Sequence, residues 1–167
     1  PTNINDRVNK IIANKENFGF AGGHNLGIQE SKGELVAMIN QDAILDGDFL
    51  KQTAEAFVDK RVASLQAKIL RLKVDNENLI KTDIIDTTGL IFLKNRRIIA
   101  RGQGRQDVGQ FDKSEEVFGV DGALSVYRRA ALEEARISVN QRYEYFDEDF
   151  HMYKEDIDLA WRLRLYG

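Results

Sequence analysis

The chain has 167 residues, 43% hydrophobic and 31% charged. That is enough for one domain with its own core, since a chain near 150 residues buries roughly 70% of its extended surface on folding. A formal net charge of −3 gives no support to nucleic-acid binding, and the absence of cysteine removes disulfides, thiol nucleophiles and cysteine-held metals. No apolar run approaches the ~20 residues of a membrane span and no signal peptide is visible, so a cytoplasmic domain is expected. The chain opens at Pro1-Thr2 and stops at Gly167 straight after a helical pattern; both ends read as cut from something longer.

In chain order, 8–13 is a candidate strand, followed by the polar turn Asn14-Lys15-Glu16-Asn17. The next stretch carries Gly19, Gly22, Gly23 and Gly27, and Leu26 and Ile28 predict a helix from near Gly23 to a cap at Gly33. Leu35-Val36-Ala37-Met38-Ile39 stops abruptly at Asn40-Gln41-Asp42, the pattern of a buried strand delivering a carboxylate to a sheet edge. Asp46-Gly47-Asp48 offers an N-cap for a helix over 49–60, with Phe49, Leu50, Thr53, Ala54, Phe57 and Val58 on one face. Partial alternation predicts a strand over 62–73, then a polar loop over 75–81. Ile84-Ile85 and 90–93 are β-rich, and Lys94-Asn95 turns the chain into 97–100 as a hairpin. Residues 101–113, with three glycines and almost nothing apolar, read as a mobile loop. A strand over 117–127 follows, with Gly119 and Gly122 permitting close backbone approach. A helix over 128–136, an aromatic and acidic connection over 146–152, and a helix over 155–166 capped by Gly167 complete the reading.

Ligands of open α/β sheets bind just outside the carboxyl ends of the strands, where Asn40-Gln41-Asp42 falls. An Asp there, with an amide two residues earlier, suits a divalent cation holding a diphosphate, because Mg²⁺ takes one or two carboxylates plus substrate phosphates. A plain strand-ending turn explains the same residues, since Asn and Asp are common turn formers. The glycine segment matches neither the dinucleotide fingerprint nor the P-loop. Gly22 and Gly23, leading into a helix N-terminus, allow amides to approach a phosphate or sugar; a tight turn with close packing is the alternative. His24 and His151, the two histidines, each admit a metal-ligand reading beside the commoner hydrogen-bonded one.

Residues 147–158 hold six carboxylates at the start of the last helix. Acidic residues in a first turn complement the helix dipole at ~0.3–1 kcal/mol each, but a helix does not need so many. Asp156, Leu159, Ala160 and Leu163 share one face, so Asp156 tops an apolar stripe. A carboxylate at such a rim, among like charges, has a raised pKa and suits a general base. Asp158 and Arg162, four apart, read as an exposed helix pair, and Glu155 fits either role.

Taken together, Asn17-Phe18-Gly19-Phe20-Ala21-Gly22-Gly23-His24-Asn25-Leu26-Gly27-Ile28, Asn40-Gln41-Asp42, Gly122-Ala123 ahead of Tyr127-Arg128-Arg129, Phe146-Asp147-Glu148-Asp149-Phe150 and Tyr153-Lys154-Glu155-Asp156-Ile157-Asp158-Leu159-Ala160-Trp161-Arg162 form a set. In order and rough spacing it resembles the family 2 glycosyltransferases of GT-A fold, especially their bacterial rhamnosyltransferase-like branch. The resemblance implies an α/β fold: a GT-A-like nucleotide-diphospho-sugar transferase sheet flanked by helices, with a β-hairpin insertion, as one partial catalytic domain over 1–167. It implies metal-dependent, inverting transfer of a sugar from a nucleotide-diphosphate donor to a hydroxyl of a glycan or lipid-linked acceptor, in surface polysaccharide or glycan synthesis. Asn40-Gln41-Asp42 takes the family's Asp-x-Asp place, so the resemblance assigns Mg²⁺ or Mn²⁺ to Asp42 and substrate contact to Asn40, with Gly22, Gly23 and Asn25 from the glycine block. Glu155-Asp156 matches the Glu-Asp motif, whose aspartate takes the acceptor proton. Arg101 and Arg105, on the loop, are expected to close over donor or acceptor.

Three departures stand out. Family members begin with two further strand–helix units that hold base and ribose; many add a metal-binding histidine beyond the last helix; and His151 replaces a commoner aromatic residue. The expectation is therefore a catalytic fragment with weak or no activity alone, cytoplasmic, with peripheral membrane association left to the full-length protein. Two other readings stay open: a non-catalytic fragment acting as a binding or assembly module, and an unrelated nucleotidyltransferase that would leave Glu155-Asp156 unexplained.

Overall fold

The computed structural model describes residues 10–76 and 78–166. In chain order the elements are α1 (Gly19–Glu30), β1 (Leu35–Ile39), α2 (Phe49–Ala56), β2 (Ser64–Gln66), β3 (Ile69–Asp75), β4 (Asn78–Thr87), β5 (Leu90–Phe92) and β6 (Ile98–Ala100). They continue with β7 (Leu124–Arg128), α3 (Arg129–Ala135), β8 (Ile137–Val139), β9 (Arg142–Glu144) and α4 (Glu155–Tyr166). The expected α/β class is present.

The site rests on a three-stranded antiparallel sheet of order β1-β7-β2. Val36 lies opposite Tyr127 and Met38 opposite Ser125, so alternation puts these four on one face. There Val36, Met38 and Tyr127 pack with Ala21 and Ile28 of α1, Leu132 of α3, Phe146, and Leu159 of α4. Leu124 and Val126 point the other way, onto Phe49 and Phe57 at the two ends of α2. The sheet is thus covered by helices on both faces. Three hairpins, β3-β4, β5-β6 and β8-β9, project from this centre. The β5-β6 hairpin is the one the sequence predicts, and Phe92 on it packs edge-on against Trp161 of α4, ring centroids 5.4 Å apart.

Several expectations are corrected. Of the candidate strand over 8–13, Val8 and Asn9 lie outside the described residues, and 10–13 joins no ladder. Helix α1 begins at Gly19, so Gly22 and Gly23 sit inside it rather than before it. The Asn17 side chain accepts the Gly19 N–H at 2.9 Å and starts the helix early. Strand β1 is buried on one face only: Val36 and Met38 are covered while Ala37 and Ile39 are exposed. Helix α2 ends at Ala56, with Leu50 and Val58 in solvent. The strand expected over 62–73 breaks into β2 and β3, and most of the polar stretch 75–81 is strand β4, paired back with Val74 opposite Leu79. The loop over 101–113 is pinned: Ile85 N–H donates to Arg105 O, Gly104 N–H to Ile85 O, and Lys68 pairs with both Asp107 and Asp112. Strand is confined to Leu124–Arg128 of the predicted 117–127, and the β8-β9 hairpin was not anticipated. Helix α4 covers its predicted range; Gly167, its expected cap, lies outside the described residues.

Candidate active site at the carboxyl end of strand β1

Where β1 ends, the Asn40 N–H donates to Ala123 O at 3.1 Å and the Ala43 N–H donates back to Asn40 O at 3.0 Å. The backbone therefore makes the turn itself and leaves Gln41 and Asp42 exposed. A cavity of about 430 Å³ opens here, lined by His24, Ile39, Asn40, Gln41 and Asp42. A second hollow of about 500 Å³, a trough along the seam of α1 and β1, has His24 and Ile39 in common with the first.

The turn before β7 ties the last helix to the same edge. Asp156 Oδ2 accepts the Gly122 N–H at 3.3 Å and Oδ1 accepts the Ile157 N–H at 2.8 Å. Asn40 to Ala123, and Gly122 to Asp156, is a two-bond bridge between the Asn40-Gln41-Asp42 turn and the start of α4. Burial pushes the Asp156 carboxyl up to about 6, with the negative charges of Asp121 and Glu155 adding and the two amides opposing. Glu155 is buried, its Oε2 has no hydrogen-bond partner among the described residues, and burial with the nearby Asp121 raises its pKa. Burial also raises the Tyr127 hydroxyl, under the negative charges of Asp156, Asp121 and Glu155. Asp121 went unnoticed in the sequence. Its N–H donates to Gln66 Oε1 at 2.6 Å and its Oδ1 accepts the Ala123 N–H at 3.0 Å, so it shapes the turn that holds Asp156. The turn-forming Asp121-Gly122 pair was the available signal.

Glycines make this closeness possible. A Cβ on Gly122 would stand 2.9 Å from Phe20 Cζ, and one on Gly119 would collide with Ala160 Cβ on α4. The Phe20 ring in turn stacks on His24, centroids 3.9 Å apart.

Other anticipated site residues are placed differently. Asn25 is buried and fully used by the fold: Oδ1 accepts the Tyr145 and Phe146 N–H groups, and Nδ2 donates to Phe146 O and Glu148 Oε1. No bond is left for a substrate, so it is a clamp between α1 and the segment leading to α4. Gly22 is buried against Phe18 and Glu148, whereas Gly23 is exposed on the wall of the trough. The Arg101 guanidinium is committed to Glu115 and lies over the Phe111 ring at 4.4 Å, and neither Arg101 nor Arg105 lines the trough. Asp158 pairs with Arg162 at 2.7 Å, but Arg162 is mostly buried and also donates to Tyr145 O. In the acidic connection, Asp147 caps a 3₁₀ turn at Glu148–Phe150.

Among the described residues, no group of three or more His, Cys, Asp or Glu is arranged to hold a metal unaided. One carboxylate beside two amides is still a fitting donor set for a hard cation that takes its remaining oxygens from a diphosphate. The model for glycosyl transferase family 2 matches residues 3–136, well over half of the chain. The chain belongs to this family. Comparison with curated proteins and with solved structures found no match. Family 2 membership supports a transferase and implies a nucleotide-sugar donor and an acceptor, in a family whose enzymes commonly use divalent metals. The matched stretch takes in α1, the β1 edge and β7, and stops before α4 with its Glu155-Asp156 pair.

Proposed function

We propose that this family 2 domain transfers a sugar from a nucleotide-diphosphate donor to an acceptor hydroxyl with inversion, as in the rhamnosyltransferase-like branch. The observation supporting the reading is the two-bond bridge from Asn40 through Ala123 and Gly122 to Asp156, which ties the turn bearing the exposed Asp42 to the half-buried Asp156. In this reading Asp42 holds the donor diphosphate through Mg²⁺ or Mn²⁺, which when bound neutralises the charge of the leaving diphosphate. The Asn40 side chain, at the cavity wall, orients the donor beside it. Asp156 takes the proton of the acceptor hydroxyl: a carboxyl poised near 6 is ionised at neutral pH yet more basic than an ordinary aspartate. Glu155, buried beside it, adds the negative charge that helps raise its pKa.

For the acceptor we propose a surface polysaccharide or a lipid-linked glycan, met at the inner face of a membrane by peripheral association. No helix among the described residues is long and apolar enough to cross one.

Calorimetry with UDP and dTDP, with and without Mn²⁺, compares this chain with Asp42→Ala. Metal-dependent binding that disappears in the variant supports the reading. Binding that ignores both metal and Asp42 contradicts it and favours a binding module without this chemistry.

A further inference from the structure

His24 lines the cavity beside Asp42 and has no role in the proposed transfer. Its Nδ1 lies 2.9 Å from the carbonyl oxygen of Phe20, one turn earlier in α1. A carbonyl only accepts, so Nδ1 carries the proton and Nε2 carries the lone pair. Among the described residues Nε2 has no hydrogen-bond partner. The ring is clamped, stacked on Phe20 and edge-on to Phe146 at 6.0 Å between centroids. It lines the same cavity as Asn40, Gln41 and Asp42. Metal-binding histidines almost always donate their other ring N–H to a carbonyl or carboxylate, which fixes the tautomer and the ring plane. Here that support is already built, in a neutral ring whose pKa burial lowers.

We propose that Nε2 of His24 is the second protein ligand of the cation held by Asp42. This rests on the proposed function and adds the nature of the metal to it. A site of carboxylate and amide oxygens suits Mg²⁺ and Mn²⁺ alike. An imidazole nitrogen is a poor ligand for Mg²⁺, which holds to oxygen in strict octahedral geometry, and a tolerable one for a first-row transition ion. The mixed set therefore shifts preference from Mg²⁺ toward Mn²⁺. The two ligands come from α1 and from the turn after β1.

The probe is UDP with Mn²⁺ or Mg²⁺, titrated by calorimetry into the unaltered chain, Asp42→Ala, His24→Ala and His24→Phe. The phenylalanine keeps the stack on Phe20 and removes both nitrogens. The expected result is a ~10-fold or greater loss of Mn²⁺·UDP affinity in both His24 variants, with Mg²⁺·UDP changed far less, so that the metal preference collapses. A second readout is the ¹⁵N resonance of Nε2, with His151 as internal control: Zn²⁺ and UDP together move the His24 signal and leave that of His151. Asp42-dependent binding with an unchanged Mn²⁺ preference in both His24 variants, and an unmoved Nε2, overturns this proposal and leaves the proposed function standing. Loss of metal-dependent binding in every form, the unaltered chain included, overturns both.

Discussion

Asp42, two residues beyond one end of the hydrogen-bonded bridge, and Asp156, at its other end, are treated by the fold in opposite ways. Asp42 is exposed after a turn built from backbone alone, so both its oxygens remain for a ligand. Asp156 is half-buried, both of its oxygens accept backbone amides, and its carboxyl is pushed up to about 6. A metal ligand needs unclaimed lone pairs, while a general base needs desolvation that lifts its pKa without forcing it to stay protonated. The contrast also predicts where damage to function and damage to stability part company.

The largest separation is expected at Asp156. Asp156→Asn should lower turnover by roughly 10²–10⁴-fold, the usual contribution of a general base. Relative to the unaltered chain, the same variant should gain roughly 2 kcal/mol of stability between pH 4 and pH 7. That gain is set against a pH-independent cost, because asparagine can accept only one of the two amide hydrogens that Asp156 takes. A raised carboxyl pKa means the folded state holds the proton more tightly, so its stabilising effect is complete below about 3.8 and lost as pH rises through about 6. Urea unfolding at pH 4 and pH 7 checks the sign: the stability of the variant relative to the unaltered chain should rise from the lower pH to the higher. Turnover of the unaltered chain should fall as pH drops below about 6.

Next comes Asn25, whose four bonds hold the segment leading to α4. Asn25→Ala leaves buried amides without an acceptor and should cost on the order of 3 kcal/mol. Gly119→Ala forces a methyl against Ala160 and should cost about 1–3 kcal/mol, displacing α4 and with it Asp156. Arg101→Met should cost about 1 kcal/mol, since its ion pair with Glu115 is partly exposed, and should leave UDP binding unchanged. Smallest of all, Asp42→Ala should alter unfolding free energy by less than about 0.5 kcal/mol while abolishing metal-dependent binding.

How much of this was legible follows from physical range. Strand β1 and helix α4 were readable because their signals are local: an apolar run cut off by polar residues, and an apolar stripe topped by carboxylates. Asp156 could be singled out from that stripe alone, and its raised pKa follows from burial the stripe already implies. Asn25 was misjudged because its partners lie about 120 residues away, beyond any pattern within the glycine block. Arg101 looked free for the same reason, its partner being visible only once the loop folds back to Glu115. His24 is the reverse case. Its supporting carbonyl is one turn away, but the cavity it lines is completed by Ile39 and the turn Asn40-Gln41-Asp42, beyond any pattern within the glycine block.

The most direct test of a single shared edge is the ¹³C carboxylate signal of Asp156, assigned by its loss in Asp156→Asn and followed as Mg²⁺·UDP is added. If the two carboxylates serve one site, the Asp156 resonance and its titration midpoint shift on binding, and neither moves in Asp42→Ala. An Asp156 signal that stays fixed while Mg²⁺·UDP binds through Asp42 would place the carboxylates in separate sites and contradict the account.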